Sequence, residues 1–198
     1  MSSFVSNNRR VLSIIIPAYN EQETIGLLLE KVIHAQLLEN IDKEIVVIND
    51  GSDDDTFQEA ERVQNKYPNE KIVLQSMSSN TGKGACVRKG LDLVSGEYVI
   101  IQDADLEYDP ADYVVLLRPI INGFADVVYG SRFKGNAPHR TLLFWHYMGN
   151  LFLTMISNML TNLNLSDMET GYKLFRVEAI KQLSLKENRF GFEPEVTA

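Results

Sequence analysis

Cysteine is nearly missing from this chain: Cys86 is the only one in 198 residues. No internal disulfide can form, and the composition fits a reducing compartment, so a cytoplasmic location is expected. Basic residues are in the minority, 19 Lys and Arg against 27 Asp and Glu, which leaves a net charge of -8. That balance argues against a general nucleic-acid binder, although local basic spots can still hold phosphates. Histidine occurs three times, at His34, His139 and His146, which is too scattered for a zinc cluster. The opening MSSFVSNNRR lacks the apolar stretch of a secretory signal. Neither an internal repeat nor a low-complexity tract is present.

What remains is ordinary for a globular protein, with 44% hydrophobic and 23% charged residues. The length suffices for one domain with a real core. Residues 1–10 read as a tail and residues 11–198 as a single domain. Apolar, β-branched runs at 11–16, 44–49, 71–75, 97–102 and 125–131 predict five strands. Pro17 is expected to end the first. Ile25, Leu28, Leu29, Val32 and Ile33 then recur at helical spacing, after an Asn20–Glu23 pair spaced like a capping box. Further helices are expected from the DGSDDDT turn to about Tyr67, after NTGKG, and from Pro110 with Asp109 as N-cap. The alternation implies an α/β fold: a Rossmann-like, mostly parallel sheet with helices on both faces.

In such a sheet, ligands bind beyond the carboxyl ends of the strands. Polar clusters fall there after each strand in turn: PAYNE, DGSDD, SNTGKG, DADLE and GSR. The first of these turns has no glycine, which excludes the dinucleotide fingerprint. In SNTGKGA, Gly84 stands where a P-loop has Ser or Thr, and no glycine precedes Gly82 at the required spacing. After the fourth strand, Asp103, Asp105, Glu107 and Asp109 occupy every second position. Residues two apart in an extended segment face one side. Asp103, Asp105 and Glu107 are therefore expected to present carboxylates together. A divalent cation would neutralise them, and Mg2+ takes one or two carboxylates plus substrate phosphates. A solvated acidic loop is the plainer alternative.

SIIIPAYNEQETI, VVINDGSDDDT, NTGKGACVRKGL, GEYVIIQDADLEYDP, VVYGSRF and the later DMETGYKLFR together resemble the family 2 glycosyltransferases with the GT-A fold. The likeness runs from about residue 11 to the last residue and is closest to the dolichol-phosphate mannose and glucose synthase-like branch. The resemblance implies a GDP- or UDP-linked sugar donor, Mg2+ or Mn2+, and a polyprenyl or dolichyl phosphate acceptor at the cytoplasmic face of a membrane. It implies inversion at the anomeric centre by direct displacement. By the same resemblance, Pro17, Ala18, Tyr19 and Glu21 would line the base and ribose. Asp50, with Gly51 and Ser52, would bind the base side, and Lys83, Asp103 and Ala104 would lie near nucleotide and sugar. Asp105 and Glu107 would hold the metal; some members have Gln at the latter position. Ser131 and Arg132 would meet the acceptor phosphate, for which a guanidinium is well suited. Asp103, Arg132, Asp167 and Glu169 are the catalytic candidates. Asp167 or Glu169 would serve as base for a hydroxyl acceptor, whereas a phosphate is already ionised and needs little help. ETGYKLFR departs from the SGFR form of mannose synthases, which leaves the sugar open.

Each assignment has a structural alternative. Tyr19 can fill a core, Asp50 with Gly51 and Ser52 can form a turn and cap, and Lys83 can be solvated. Arg132 can form an ion pair, Asp167 and Glu169 can begin a helix, and Cys86 reads as a packing residue. From Thr141 to Ser166 no residue is charged, yet His146, Asn150, Thr154, Ser157 and Thr161 form a polar stripe at steps of four or three. A helix packed on the domain, or one touching a membrane surface, is expected rather than a span. An apolar surface there would suit a long polyprenyl acceptor near Arg132. NRFGFEPEVTA stops in what reads as a continuing element, so truncation at the C-terminus is expected. Competing functions are a nucleotidyltransferase, a domain that binds nucleotide-sugar without turnover, and transfer to a saccharide acceptor. Oligomeric state has no signature.

Overall fold

Side chains alternate across a strand, and here both sets are apolar. Leu12, Ile14 and Ile16 join Ile45, Val47, Tyr98 and Ile100 in one buried cluster. Ile15 joins Val46, Ile48, Val99 and Ile101 in a second, on the opposite face. The computed structural model describes residues 10–130, 144–168, 170–189 and 191–197. Within them β1 (Arg10–Ala18), β2 (Ile41–Asn49), β3 (Ile72–Ser76), β4 (Tyr98–Ile101), β5 (Val127–Tyr129) and β6 (Lys173–Arg176) form one sheet in the order β3-β2-β1-β4-β6-β5. The first four strands are parallel, while β6 runs antiparallel to β4 and β5. Helices α1 (Ile25–His34), α2 (Thr56–Lys66) and α4 (Tyr113–Ile121) cover the first cluster. Helices α3 (Lys83–Leu93), α6 (Val177–Ile180) and α7 (Phe192–Thr197) cover the second. The remaining helix, α5, spans Phe144–Thr161. The expected α/β architecture is present; β6 was legible only as part of a motif.

Two local expectations fail for physical reasons. Pro17 does not end β1, which continues to Ala18. Pairing of β1 with β4 stops at Ile15, so the proline stands where that ladder has already ended. The Asn20–Glu23 capping box does not form. Asn20 adopts a φ of 55°, and its Oδ1 accepts from the Asp53 amide at 3.0 Å, so the side chain is committed to the loop after β2. Asp109 does cap as expected: its Oδ1 accepts from the Ala111 amide at 3.0 Å and opens a 3-10 turn, Pro110–Asp112, ahead of α4.

Toward the amino ends of β1 and β2, a carboxylate is buried inside the sheet. Glu44 accepts from Ser13 Oγ at 2.6 Å, Ser95 N at 2.8 Å and Ser95 Oγ at 3.0 Å, and pairs with Lys71 Nζ at 2.5 Å. It thereby ties β1, β2 and the α3–β4 turn together. Burial pushes this carboxyl up, but Lys71, Ser13 and Ser95 outweigh burial and hold it below its ordinary value. A carboxylate depressed by folding adds stability above the unfolded carboxylate range and loses it as pH falls through the folded pKa. Glu44→Gln is therefore expected to cost about 2–3 kcal/mol at neutral pH. It should also flatten the loss of stability between about pH 5 and pH 3. Urea denaturation of both proteins across that range checks the prediction.

Candidate active site

Ala18, Asn49 and Ser76 share one register across β1, β2 and β3, so the carboxyl ends of these strands form a single rim. The loops leaving the rim are tied to one another. Asp50 is only 3% exposed, and both its oxygens are engaged. Oδ1 accepts from Thr81 N and Thr81 Oγ1, each at 2.8 Å, and Oδ2 accepts from Gly82 N at 2.7 Å. Gly51 has a φ of 65°, and a Cβ there would sit 2.6 Å from the Ser79 carbonyl carbon. Ser52 Oγ donates to Asn49 Oδ1 at 2.5 Å and accepts from Asn20 N at 3.0 Å. These three residues, expected on the base side, are thus engaged in joining the loops after β1, β2 and β3. Tyr19 is exposed at the rim and fills no core, Ala18 is buried, and Pro17 and Glu21 are half-buried. Cys86 lies buried against Asp50, and burial followed by the charge of Asp50 pushes its thiol up to about 12. It packs and is no nucleophile.

The glycines of TGKG serve chain packing. A Cβ on Gly84 would sit 2.1 Å from the Glu187 carbonyl oxygen. Gly84 N and Ala85 N donate to the Asn188 carbonyl at 2.8 and 3.3 Å, and Arg88 Nη1 donates to the Glu187 carbonyl at 2.6 Å. The segment ahead of α7 therefore occupies the first turn of α3, where a phosphate-binding loop would present free amides. Lys83 instead reaches inward. Its ammonium lies 2.6 Å from Asp103 Oδ1 and 2.6 Å from Glu193 Oε1. Burial opposes the charge, but the two carboxylates outweigh it and hold the ammonium above its ordinary pKa. Glu193 also pairs with Lys173, which is fully buried and donates to the Thr170 carbonyl. Glu193 and Lys173 were not anticipated. Their signal was a lone charge inside an apolar frame, in FGFEPEV and YKLF.

Asp103 is bounded on its other side by Gly171, where a Cβ would stand 2.3 Å from Asp103 Oδ2. The Gly171 amide donates to Tyr108 Oη at 2.9 Å, and the Tyr108 ring stacks on Tyr172 with centroids 4.6 Å apart. The DADLE segment is not extended. β4 ends at Ile101, and Leu106 takes the left-handed conformation with φ 63°, which is unusual for an aliphatic residue. Alternation therefore does not set the side-chain directions, and the expected three-carboxylate face of Asp103, Asp105 and Glu107 is not formed. Among the described residues no three His, Cys, Asp or Glu side chains converge as a metal cluster. Asp103 is committed to Lys83, while Asp105 and Glu107 remain exposed, with Asp105 Oδ1 accepting from the Glu107 amide at 2.9 Å. Ala104 between them is buried. Two exposed carboxylates at a strand end suit Mg2+ or Mn2+ if phosphate oxygens supply further ligands.

Helix α5 is inverted relative to a surface helix of a soluble domain. Its polar residues face inward: Asn150 Nδ2 donates to Asp167 Oδ1 at 2.8 Å, Thr154 Oγ1 to Asn150 Oδ1 at 3.2 Å, and Met168 N to Thr154 Oγ1 at 3.2 Å. Asp167 is 3% exposed and begins no helix; it anchors α5. The outward face carries Phe152, Met155, Met159 and Leu160, the last two 77% and 82% exposed. No described helix is long and apolar enough to cross a membrane. Ser131, Arg132 and Glu169 lie outside the described residues.

A family model described as Glycosyl transferase family 2 matches residues 13–184. The chain belongs to this family. It is 32% identical to the dolichyl-phosphate beta-glucosyltransferase ALG5A of Trichomonas vaginalis, over 93% of this chain and 59% of that protein. It is 29% identical to a dolichol-phosphate mannosyltransferase of Pyrococcus furiosus, over 92% of this chain and 50% of that one. The chain thus spans between half and three-fifths of these two relatives. Its fold matches glucosyl-3-phosphoglycerate synthase from Mycobacterium tuberculosis, solved with Mn2+, UDP and phosphoglyceric acid. The TM-score is 0.71 at 21% identity, over 94% of this chain and 62% of that one. The packing role of the α3 glycines is testable. Gly84→Ala should lower stability by about 1–3 kcal/mol through overpacking, and limited proteolysis should then cut first between Leu185 and Gly191.

Proposed function

We propose that this family 2 domain transfers a sugar from a GDP- or UDP-linked donor to a polyprenyl or dolichyl phosphate, with inversion. The observation that carries the donor half is the position just beyond β4 of Asp103, paired with Lys83, and of the exposed Asp105 two residues on. Exposed Tyr19 would lie along the base and ribose, with Glu21 beside it. Asp50, Gly51 and Ser52 would act by holding the wall of that site. Asp105 and Glu107 would hold Mg2+ or Mn2+, whose charge, when bound, offsets that developing on the departing diphosphate. Solved neighbours contain Mn2+ with UDP, or with GDP-Man in a mannosyltransferase from Pyrobaculum calidifontis.

Two observations favour a lipid phosphate as acceptor. The buried Asp167 is held by Asn150 and is poorly placed to take a proton from a hydroxyl, whereas an ionised phosphate needs no base. Ser131 and Arg132 would orient that phosphate. The outward apolar face of α5 also suits an acyl phase at the membrane surface. Both curated relatives described above are named for dolichyl- or dolichol-phosphate.

Calorimetric titration with UDP and with GDP, each with and without Mn2+, tests the donor half. One nucleotide should bind in a metal-dependent way, and Asp105→Asn should weaken that binding about tenfold or more. Unchanged binding by the variant would remove Asp105 from the metal site. For the acceptor half, Met159→Ser with Leu160→Ser should reduce co-flotation with phospholipid vesicles while leaving nucleotide affinity unchanged.

A further inference from the structure

Four charges alternate in an unbroken line that runs inward from the partly exposed Asp103 and Lys83 through Glu193 to the buried Lys173. Lys83 lies 2.6 Å from each of its two carboxylates, and Glu193 closes on Lys173. The two ends of the line do different work. Asp103 stands at the β4 rim, in the proposed donor site. Lys173 holds the carbonyl of Thr170 and lies 3.5 Å from that of Met168, within the DMETG turn. That turn carries Asp167, which anchors α5 through Asn150, and Gly171, which abuts Asp103. Among the described residues Glu193 is the carboxylate that pairs with both lysines. It comes from α7, more than a hundred residues after Lys83.

We infer that Glu193 is a positioning residue that fixes Lys83 against Asp103 and, through Lys173, fixes the DMETG turn, so that the donor and acceptor sides are held in one register. The assignment rests on the glycosyltransferase reading. The physical ground is charge pairing out of water. Lys173 is wholly buried, and an ammonium there needs an anion. Among the described residues Glu193 is the carboxylate that contacts it. Removing that charge would leave two ammoniums facing one carboxylate, Asp103. Lys83 and Lys173 would then have to shift, and both loops would move with them. Burial already works against the charge on Lys173 even with Glu193 in contact.

Glu193→Gln keeps the volume and removes the charge, and Glu193→Asp keeps the charge on a shorter stem. Hydrogen exchange in the intact chain reads the coupling directly, with no need for turnover. Peptides covering 82–86 and 168–173 should both exchange about tenfold faster in Glu193→Gln, with Glu193→Asp nearer to wild type. Faster exchange confined to α7, or to one of the two loops, would overturn the coupling. In a transfer assay at saturating donor, Glu193→Gln should lower kcat about tenfold while donor KM moves less than threefold. A variant with wild-type kcat, or one whose loss matches its loss of folded protein, would overturn the assignment. A wild-type chain that binds neither UDP nor GDP would instead refute the glycosyltransferase reading, and the exchange data would still decide whether Glu193 joins the loops.

Discussion

One ammonium, that of Lys83, sits between two carboxylates from distant parts of the chain, and much of the site depends on it. Asp103 comes from the end of β4 and Glu193 from α7, and each lies 2.6 Å from the same nitrogen. Lys83 and Asp103 are partly exposed, so the pair adds little net stability, and breaking it costs less than the roughly 3–5 kcal/mol of a fully buried pair. Its effect is on geometry rather than on the free energy of folding. It draws α7 onto the sheet and brings the segment at Glu187 and Asn188 against the first turn of α3. That approach requires glycine at position 84 and engages amides that would otherwise be open to an anion. The loop that misses the P-loop pattern in sequence is a packing surface in the fold.

The contrast shows what a sequence carries on its face. β1 and β2 were legible because burial on both sides leaves an apolar, β-branched run that no partner has to explain. The helical spacing of Ile25, Leu28, Leu29, Val32 and Ile33 was legible because all five face one core. The errors fall where the deciding partner lies far away in the chain. Asn20 reads as a helix cap until Asp53 claims it. Gly84 reads only as a misfit to the P-loop pattern, and its packing role is invisible until Glu187 arrives. Glu193 and Lys173 read as isolated charges until the fold places them together.

The acids after β4 failed for a different reason, which is local. A period of two gives directions only in extended backbone, and Leu106 leaves that region with a φ of 63°. The consequence is a division of labour among residues that look equivalent. Asp103 turns inward to Lys83 and is walled by Gly171, whereas Asp105 and Glu107 remain exposed. Four acids at every second position therefore have three distinct settings: Asp103 is paired, Asp105 and Glu107 are exposed, and Asp109 caps a turn. The same contrast between pattern and direction applies to α5. Its polar stripe was visible in the sequence, but only the fold shows that Asn150 and Thr154 within it point inward, toward Asp167.

That inward stripe bears on the chemistry. An acid that anchors a helix from a buried position cannot also exchange protons readily with a bound hydroxyl, because moving it would loosen α5. The acceptor that suits such a site brings its own negative oxygen. An ionised phosphate does so, and its lipid tail would need the apolar surface that α5 turns outward when its polar side chains are spent on the domain. On the proposed reading, one constraint, the burial of Asp167 against Asn150, thus bears on both the reactive group of the acceptor and the surface that would receive the rest of it.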